Sequence, residues 1–430
     1  TDTAVLAVFG VFLLLCIYGT SSYIKTLKMK TFFVFGFLGI FAVLFLMLSW
    51  YGYVTPLSFK FISVLNPSAR LGTGSLQELV QSVQEHRPGA WGTFYYDLGI
   101  GVFFVIVGLF FAVQNPTNRN LFLCIFGLTS VYFAGSMVRL TLLMAPAVSL
   151  LFALGLVRLL SPFITILKEV PAIPTRKMRL GGHVGKEFSW AFISMTFLLL
   201  TFNLVLPSPK ENFPRTLTPA YSPTTIAAAS MPLGSSLTEP VTDWLDALNW
   251  MRVNLKSTDV VAAWWDYGYW ITIIANKTTL ADNGTANTTQ IGLIGRMFLS
   301  NETEAIKILD RFDATYVVVF TTFQTDSSGN PVDVGWGDEG KWRWMARIGG
   351  VNDSDYGSTN NQTGAWAWTT LGQQTVIYKL MQYGKEITLG LSPTVRLEYF
   401  EKAYFSQKEG DPKPYQNVIP LVCVYKINYI

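Results

Sequence analysis

Hydrophobic residues fall into six long runs in the first half of the chain and into short periodic groups in the second. The runs are Ala4–Thr20, Thr31–Trp50, Leu98–Gln114, Asn120–Gly135, Met137–Leu160 and Phe188–Leu206. Each approaches the roughly 20 residues that cross a bilayer; the fourth is short, and its boundary with the fifth is open. After Leu206 the pattern breaks. A stretch rich in Pro, Ser and Thr runs to Pro240, and then periodicity returns. Val241, Trp244, Leu245, Leu248 and Met251 share one helical face. Val260–Ala263 reads as a short buried strand, Glu302–Phe312 as a helix and Ala314–Phe320 as a buried strand. Lys341–Ile348, Gln374–Tyr383 and Arg396–Phe405 are predicted helices, and Ile419–Ile427 a closing strand.

This pattern predicts a polytopic α-helical membrane domain over residues 1–206, a linker over 207–240 and a mixed α/β globular domain over 241–430. Composition agrees. Half of the 430 residues are hydrophobic, mean hydropathy is +0.34, and only 14% are charged, against about 25% in soluble proteins. The net charge of +4 gives no case for nucleic acid. Cys16, Cys124 and Cys423 are too scattered for a disulfide framework or a metal cluster. Thr1-Asp2-Thr3 leads straight into an apolar run, which predicts that the chain continues a longer protein.

Charge in the loops sets the orientation. Lys25, Lys28 and Lys30, then Arg119, then Lys168, Arg176, Lys177, Arg179 and Lys186 mark alternate connections. Basic loops face the cytoplasm, so the long loop 51–97 and everything after Leu206 face outward. The sequons at Asn276, Asn283, Asn287, Asn301, Asn352 and Asn361 all lie in that outer domain, on the side where N-glycans are added.

Candidate chemistry is confined to four stretches. Trp264-Trp265-Asp266-Tyr267-Gly268 follows the Val260–Ala263 strand. Indole N–H donors and a carboxylate on a strand end suit a small hydroxyl, and Gly268 is expected to allow a tight turn. The competing reading is an aromatic core layer with Asp266 capping the turn. Glu85, in Ser82-Val83-Gln84-Glu85, is the notable acid of the outer loop, against a reading as a solvated charge. Glu78 and Asp97 lie near it in sequence, Asp97 at the expected start of a helix. Arg139 lies near the outer end of an apolar run, where an arginine is costly and marks a functional site or snorkels to the interface. The fourth stretch is Asp338-x-x-Lys341-x-x-x-Met345.

Together these stretches resemble the STT3/AglB family, the catalytic subunits of oligosaccharyltransferases. The likeness extends to Tyr132-Phe133-Ala134-Gly135 ahead of Met137-Val138-Arg139-Leu140, and to Asp282-Asn283 followed by closely spaced sequons. It implies a partial membrane domain of the GT-C type, the last six of thirteen helices plus the C-terminal domain. It implies transfer, with inversion, of an oligosaccharide from a polyprenyl or dolichyl (pyro)phosphate to the Asn amide of Asn-x-Ser/Thr. By the same resemblance Glu85 would hold the acceptor amide and bind a divalent cation, Mn²⁺ or Mg²⁺, whose other ligands come from the earlier part of the protein. Arg139 would bind the lipid-linked phosphate. Trp264, Trp265 and Asp266 would bind the +2 hydroxyl, with Lys341 and Met345 beside them and Tyr267, Gly268 and Asp338 in support. The implied partners are a lipid-linked oligosaccharide, sequon-containing polypeptides, the membrane, and a translocon or accessory subunits. Ser-Val-x-Glu in place of the bacterial Thr-Ile-x-Glu points to an archaeal or eukaryotic relative, and Trp270, where eukaryotic members carry Gln, leans to an archaeal plasma membrane, with the endoplasmic reticulum as the alternative. No Arg follows Glu85 within Gly89–Asp97, so no acidic −2 residue is expected in the acceptor. Two other readings cover parts of the pattern. One is a different membrane glycosyltransferase using polyprenyl-phosphate sugars; the other is a non-catalytic receptor binding peptide or glycan through its Trp-rich surface.

Overall fold

The structure is a computed structural model and describes residues 2–51, 59–72, 74–168, 185–206, 224–229, 231, 240–359 and 366–429. Most of the predicted linker, the Arg176–Arg179 cluster and the Asn361 sequon lie outside the described residues. The chain forms two compact units, residues 1–63 and 64–430.

The first unit holds helices α1 (Asp2–Ser22) and α2 (Leu27–Trp50), with α3 (Phe59–Leu65) running across the division. Phe12, Leu15, Phe32, Phe35 and Ile40 stay exposed. Helices apolar on every side belong in lipid, and Lys28–Leu48 is long and apolar enough to span it.

In the second unit, α4 (Ser75–Ser82) lies in the outer loop, and α5 (Trp91–Leu98) meets α6 (Gly101–Gln114) at a bend of 95°. Gly99 makes the bend with φ +55°, a region open to glycine. The exposed Ile100 N–H is taken by Asn203 Oδ1 at 2.8 Å. Asn203 belongs to a wide turn, Thr201–Val205, that follows α9 (Lys186–Leu200). Between them, α7 (Asn118–Ser136) stops at Met137, and a single turn, Val138–Leu140, leads into α8 (Thr141–Lys168). That break fixes the boundary between the fourth and fifth runs. α6 crosses α8 at backbone contact: a Cβ on Gly108 would stand 1.9 Å from Leu151 O, and one on Gly155 2.1 Å from Phe104 O. Small residues at such crossings let helices approach closely in lipid.

All six predicted runs are helical, but fewer qualify as spans. Among the described residues three helices are long and apolar enough, Lys28–Leu48, Val138–Lys168 and Lys186–Val205, and a fourth if α5 and α6 count as one bent span. α7 falls short because it opens on Asn118-Arg119-Asn120.

The C-terminal domain is built on a mixed sheet of strands β1 (Val260–Ala262), β2 (Thr278–Thr279), β3 (Tyr316–Thr325), β4 (Pro331–Asp333), β7 (Phe400–Phe405) and β8 (Ile419–Ile427). Their order is β2-β1-β3-β8-β7, with β4 paired to β3. A separate hairpin joins β5 (Gly357–Thr359) to β6 (Trp366–Trp368). β1 is parallel to β2 and β3, and β8 is antiparallel to β3 and β7. β3 and β8 are buried on both faces, hence their unbroken Val/Phe and Leu/Val/Cys runs. The helices Asp243–Asn254, Asp338–Gly349 and Val376–Thr388 pack on the sheet. The predicted helix Arg396–Phe405 is instead strand β7, and Gln374–Tyr383 is the helix Val376–Thr388, displaced towards the C-terminus.

The loop from Val64 on belongs to this unit. α4 packs against the helices Thr288–Leu299 and Asp338–Gly349, and its Leu79, 1% exposed, is part of the domain's hydrophobic core.

Candidate active site

Glu85 stands in a single turn, Gln84–His86, just after α4. Arg139 stands in the turn at the α7–α8 break. The structure brings them together: Arg139 Nε lies 3.7 Å from Glu85 Oε2, both side chains being 64% exposed. Backbone bonds clip the two segments, from Val138 N–H to Arg87 O (3.0 Å) and from Gly89 N–H to Gly135 O (3.0 Å). Arg70, foreseen by nothing in the sequence, ties them from below. It is 4% exposed and donates to His86 O, to Ser136 O at 2.7 Å and to Ser136 Oγ at 3.2 Å. Its guanidinium thereby joins the last carbonyl of the Gln84–His86 turn to the last carbonyl of α7. Asp97 sits in the last turn of α5 rather than heading a helix, and Glu78 lies on α4.

The second centre is at the carboxyl end of β1, where the chain turns through Trp265–Tyr267 into the helix Gly268–Ile273. A cavity of about 290 Å³ opens there, lined by Thr225, Asp266, Tyr267, Trp270, Asn283 and Lys341. Asp266 Oδ2 lies 2.7 Å from Lys341 Nζ. Lys341 also donates to the Tyr267 hydroxyl at 3.0 Å and sits 4.4 Å above its ring. Tyr267 donates to Asp338 Oδ1 at 2.8 Å, and Asp338 Oδ2 accepts from the Phe320 N–H at 2.9 Å. Burial pushes the Asp338 carboxyl up to about 7, against the pull of Lys341 and these donors. Burial, then the Asp338 and Asp266 charges, raise the Tyr267 phenol well above its ordinary value. Asp338 and Lys341 reach the motif from one helix because residues three apart share a face.

The remaining motif residues lie deeper. Trp264 is 1% exposed, Trp265 6% and Met345 fully buried, and none of them lines the cavity. Trp265 Nε1 is buried without a hydrogen-bond partner, as are the indoles of Trp244, Trp366 and Trp368. Met345 packs under Gly295, where an added Cβ would touch its backbone. Gly268 does not make the expected tight turn: its φ is −58°. Its constraint is steric. A Cβ there would stand 2.2 Å from Ala281 O and 2.4 Å from Asp282 Cα. The glycine is what lets the 281–284 loop lie on the motif.

Among the described residues no group of three or more His, Cys, Asp or Glu could hold a metal ion. Glu85 faces a guanidinium rather than a second carboxylate. The described residues therefore do not by themselves make a divalent-cation site.

The family model for the STT3/PglB/AglB core domain matches residues 257–335, from the approach to β1 through β4. The dolichyl-diphosphooligosaccharide–protein glycosyltransferase subunit STT3 of Dictyostelium discoideum is 31% identical over 373 residues, 83% of this chain and 48% of that protein. The subunit STT3B of Oryza sativa is 32% identical over 71% of this chain and 43% of its own length. The chain belongs to the STT3/AglB family. It spans less than half the length of these two relatives. The apo structure of the Archaeoglobus fulgidus oligosaccharyltransferase is similar in fold, with TM-score 0.50 at 17% identity over 85% of this chain and 44% of that one. As an STT3/AglB member with spanning helices, the chain is a membrane protein.

Proposed function

We propose that the chain takes part in moving an oligosaccharide from a polyprenyl or dolichyl (pyro)phosphate to the Asn side chain of Asn-x-Ser/Thr, with inversion at the anomeric carbon. One observation carries this reading. The outer loop is fastened at Glu85 to the helix break bearing Arg139, and through α4 to the helix bearing Lys341. A carboxylate, a phosphate-binding cation and a hydroxyl-sized polar cavity thus share one compact unit.

The roles follow from the chemistry. An amide nitrogen is a weak nucleophile, since its lone pair is delocalised. The exposed Glu85 carboxylate accepts from the acceptor's N–H and holds the nitrogen in line. Arg139 meets the donor phosphate with a planar fork that suits paired oxygens. Its 3.7 Å contact with Glu85 is long and exposed, a pairing worth about 0–1 kcal/mol. A phosphate displaces it readily, and Glu85 is then left for the amide. At the second centre Asp266 holds the +2 hydroxyl from the cavity wall, Lys341 fixes the Asp266 carboxylate, and the buried Trp265 indole backs the turn from outside the cavity. Trp264 and Met345 support that pocket from the core side. A Mn²⁺ or Mg²⁺ ion at Glu85 would need its other ligands from beyond the described residues. The setting favoured by Trp270 is an archaeal plasma membrane.

The test is transfer from a lipid-linked oligosaccharide to Asn-x-Thr and Asn-x-Ala peptides by the full-length membrane protein. Transfer to the first alone supports the reading. Equal transfer to both, or transfer to a lipid or sugar acceptor instead, removes it.

A further inference from the structure

We infer that Asn283 is a positioning residue of the acceptor cavity and that its sequon is closed to glycan attachment. The inference rests on the acceptor-site reading above and concerns a residue that looks, from Asn283-Gly284-Thr285, like a modification site.

Asn283 Nδ2 donates to Asp266 O at 3.0 Å, and its Oδ1 accepts from the Tyr269 N–H at 3.3 Å. These are the carbonyl and the amide three residues on, in the turn that carries Asp266 into the cavity. Such groups lie side by side, so one edge of the Asn283 carboxamide meets both. That edge consists of the oxygen and the N–H syn to it. In a trans N-glycosyl amide the sugar carbon takes the place of that syn hydrogen, as the next Cα does in a trans peptide. The clamp and a glycan therefore compete for one position. A sugar there would also enter the cavity, since Asn283 is part of its wall.

Three other described sequons differ. Asn287, Asn301 and Asn352 each accept a helix-capping N–H through Oδ1. The Nδ2 groups of Asn287 and Asn352 donate to side chains, Gln290 and Asp355, which can swing away. Asn283 alone among these spends both ends of its amide on the backbone of the motif. Two more contacts hold it there. Gly268 admits the 281–284 loop against the turn, and a Cβ on Gly284 would meet Asp282 Oδ1 at 2.9 Å, the same oxygen that accepts the Gly284 N–H.

Glycan mapping by mass spectrometry and peptide titration of the full-length protein test the two halves. The sequon should be unoccupied at Asn283. Asn283→Ala should weaken Asn-x-Thr binding about tenfold, the value of one hydrogen bond of about 1.4 kcal/mol, while Asn-x-Ala binding stays unchanged. Asn283→Asp keeps the acceptor and loses the donor, so it should fall between. Thr285→Ala destroys the sequon but keeps the clamp, and it eases a left-handed residue (φ +48°); it should bind as wild type. A glycan on Asn283, or a Thr285→Ala loss equal to that of Asn283→Ala, overturns the inference. So does an Asn283→Ala protein that still tells the two peptides apart as wild type does. Should wild type itself fail to distinguish the peptides, the acceptor reading falls, a result visible before any variant is made, and the mapping still decides whether the sequon is closed.

Discussion

The Lys341 ammonium lies 2.7 Å from the Asp266 carboxylate, so the cavity's acid is held by a cation from another helix. Both side chains are about a quarter exposed, and each leaves the other stranded if removed. Lys341→Met and Asp266→Ala should each weaken Asn-x-Thr binding by roughly 1–3 kcal/mol, the cost of an unsatisfied polar group. The double variant should lose less than the sum, because contacting residues couple. Titration of the four proteins with one peptide checks this. Strict additivity would mean that the pair acts through separate parts of the site.

Glu85→Gln should abolish transfer and leave thermal stability within about 0.5 kcal/mol, as befits an exposed side chain. Arg139→Lys should weaken the lipid-linked donor and leave peptide affinity alone, since an ammonium lacks the paired donors of a guanidinium. Separate titrations of donor and peptide distinguish the two effects. Unchanged donor affinity in the Lys variant would return Arg139 to a snorkelling role.

The α6–α8 crossing predicts a defect in the membrane helices alone. Gly108→Leu places side-chain atoms where a Cβ already reaches 1.9 Å from Leu151 O. The helices must part, and unfolding in detergent should fall by several degrees. Gly92→Leu, where an added Cβ meets nothing within 4 Å, should leave it unmoved.

The outer domain should carry a pH dependence at Asp243. Burial pushes its carboxyl up to about 6, although Ser406 Oγ and Gln407 Nε2 donate to it at 2.7 Å. The fold prefers the neutral acid. This contribution is therefore complete below about pH 4 and is lost as pH rises through 6. Asp243→Asn keeps an oxygen for both donors and removes the titration. Unfolding at pH 4 should be similar in the two proteins. At pH 7.5 the variant should be the more stable by on the order of 2 kcal/mol.

Sequence pattern carried much of the architecture. Ile419–Ile427 is a strand over the residues expected, because burial on both faces leaves an unbroken apolar run. Arg396–Phe405 misled for a local reason. β7 has a bulge between Lys402 and Tyr404. The extra residue puts Phe400 and Phe405 on the buried side together, a spacing of five that breaks the alternation a regular strand shows. The site was legible as residue types but not as contacts. Glu85 and Arg139 are 54 positions apart in sequence, and their pairing depends on Arg70, a residue with no motif around it. In the sequence Gly268 offers φ freedom, while its use is a steric gap that appears only once the 281–284 loop is in place.

The pairing of β3 with β8 has a consequence for synthesis. Its register runs from Tyr316 opposite Lys426 to Phe323 opposite Ile419, segments separated by about 100 residues. At roughly 5–20 residues per second, several seconds pass between the appearance of the inner strand and that of its partner. Over that interval β3 has β1 on one side and an open edge on the other, the kind of edge that recruits foreign strands. Distant pairings of this sort close slowly even in a finished chain. The nascent domain therefore passes through a window with an open strand edge, and the window ends only when Ile419–Ile427 arrives.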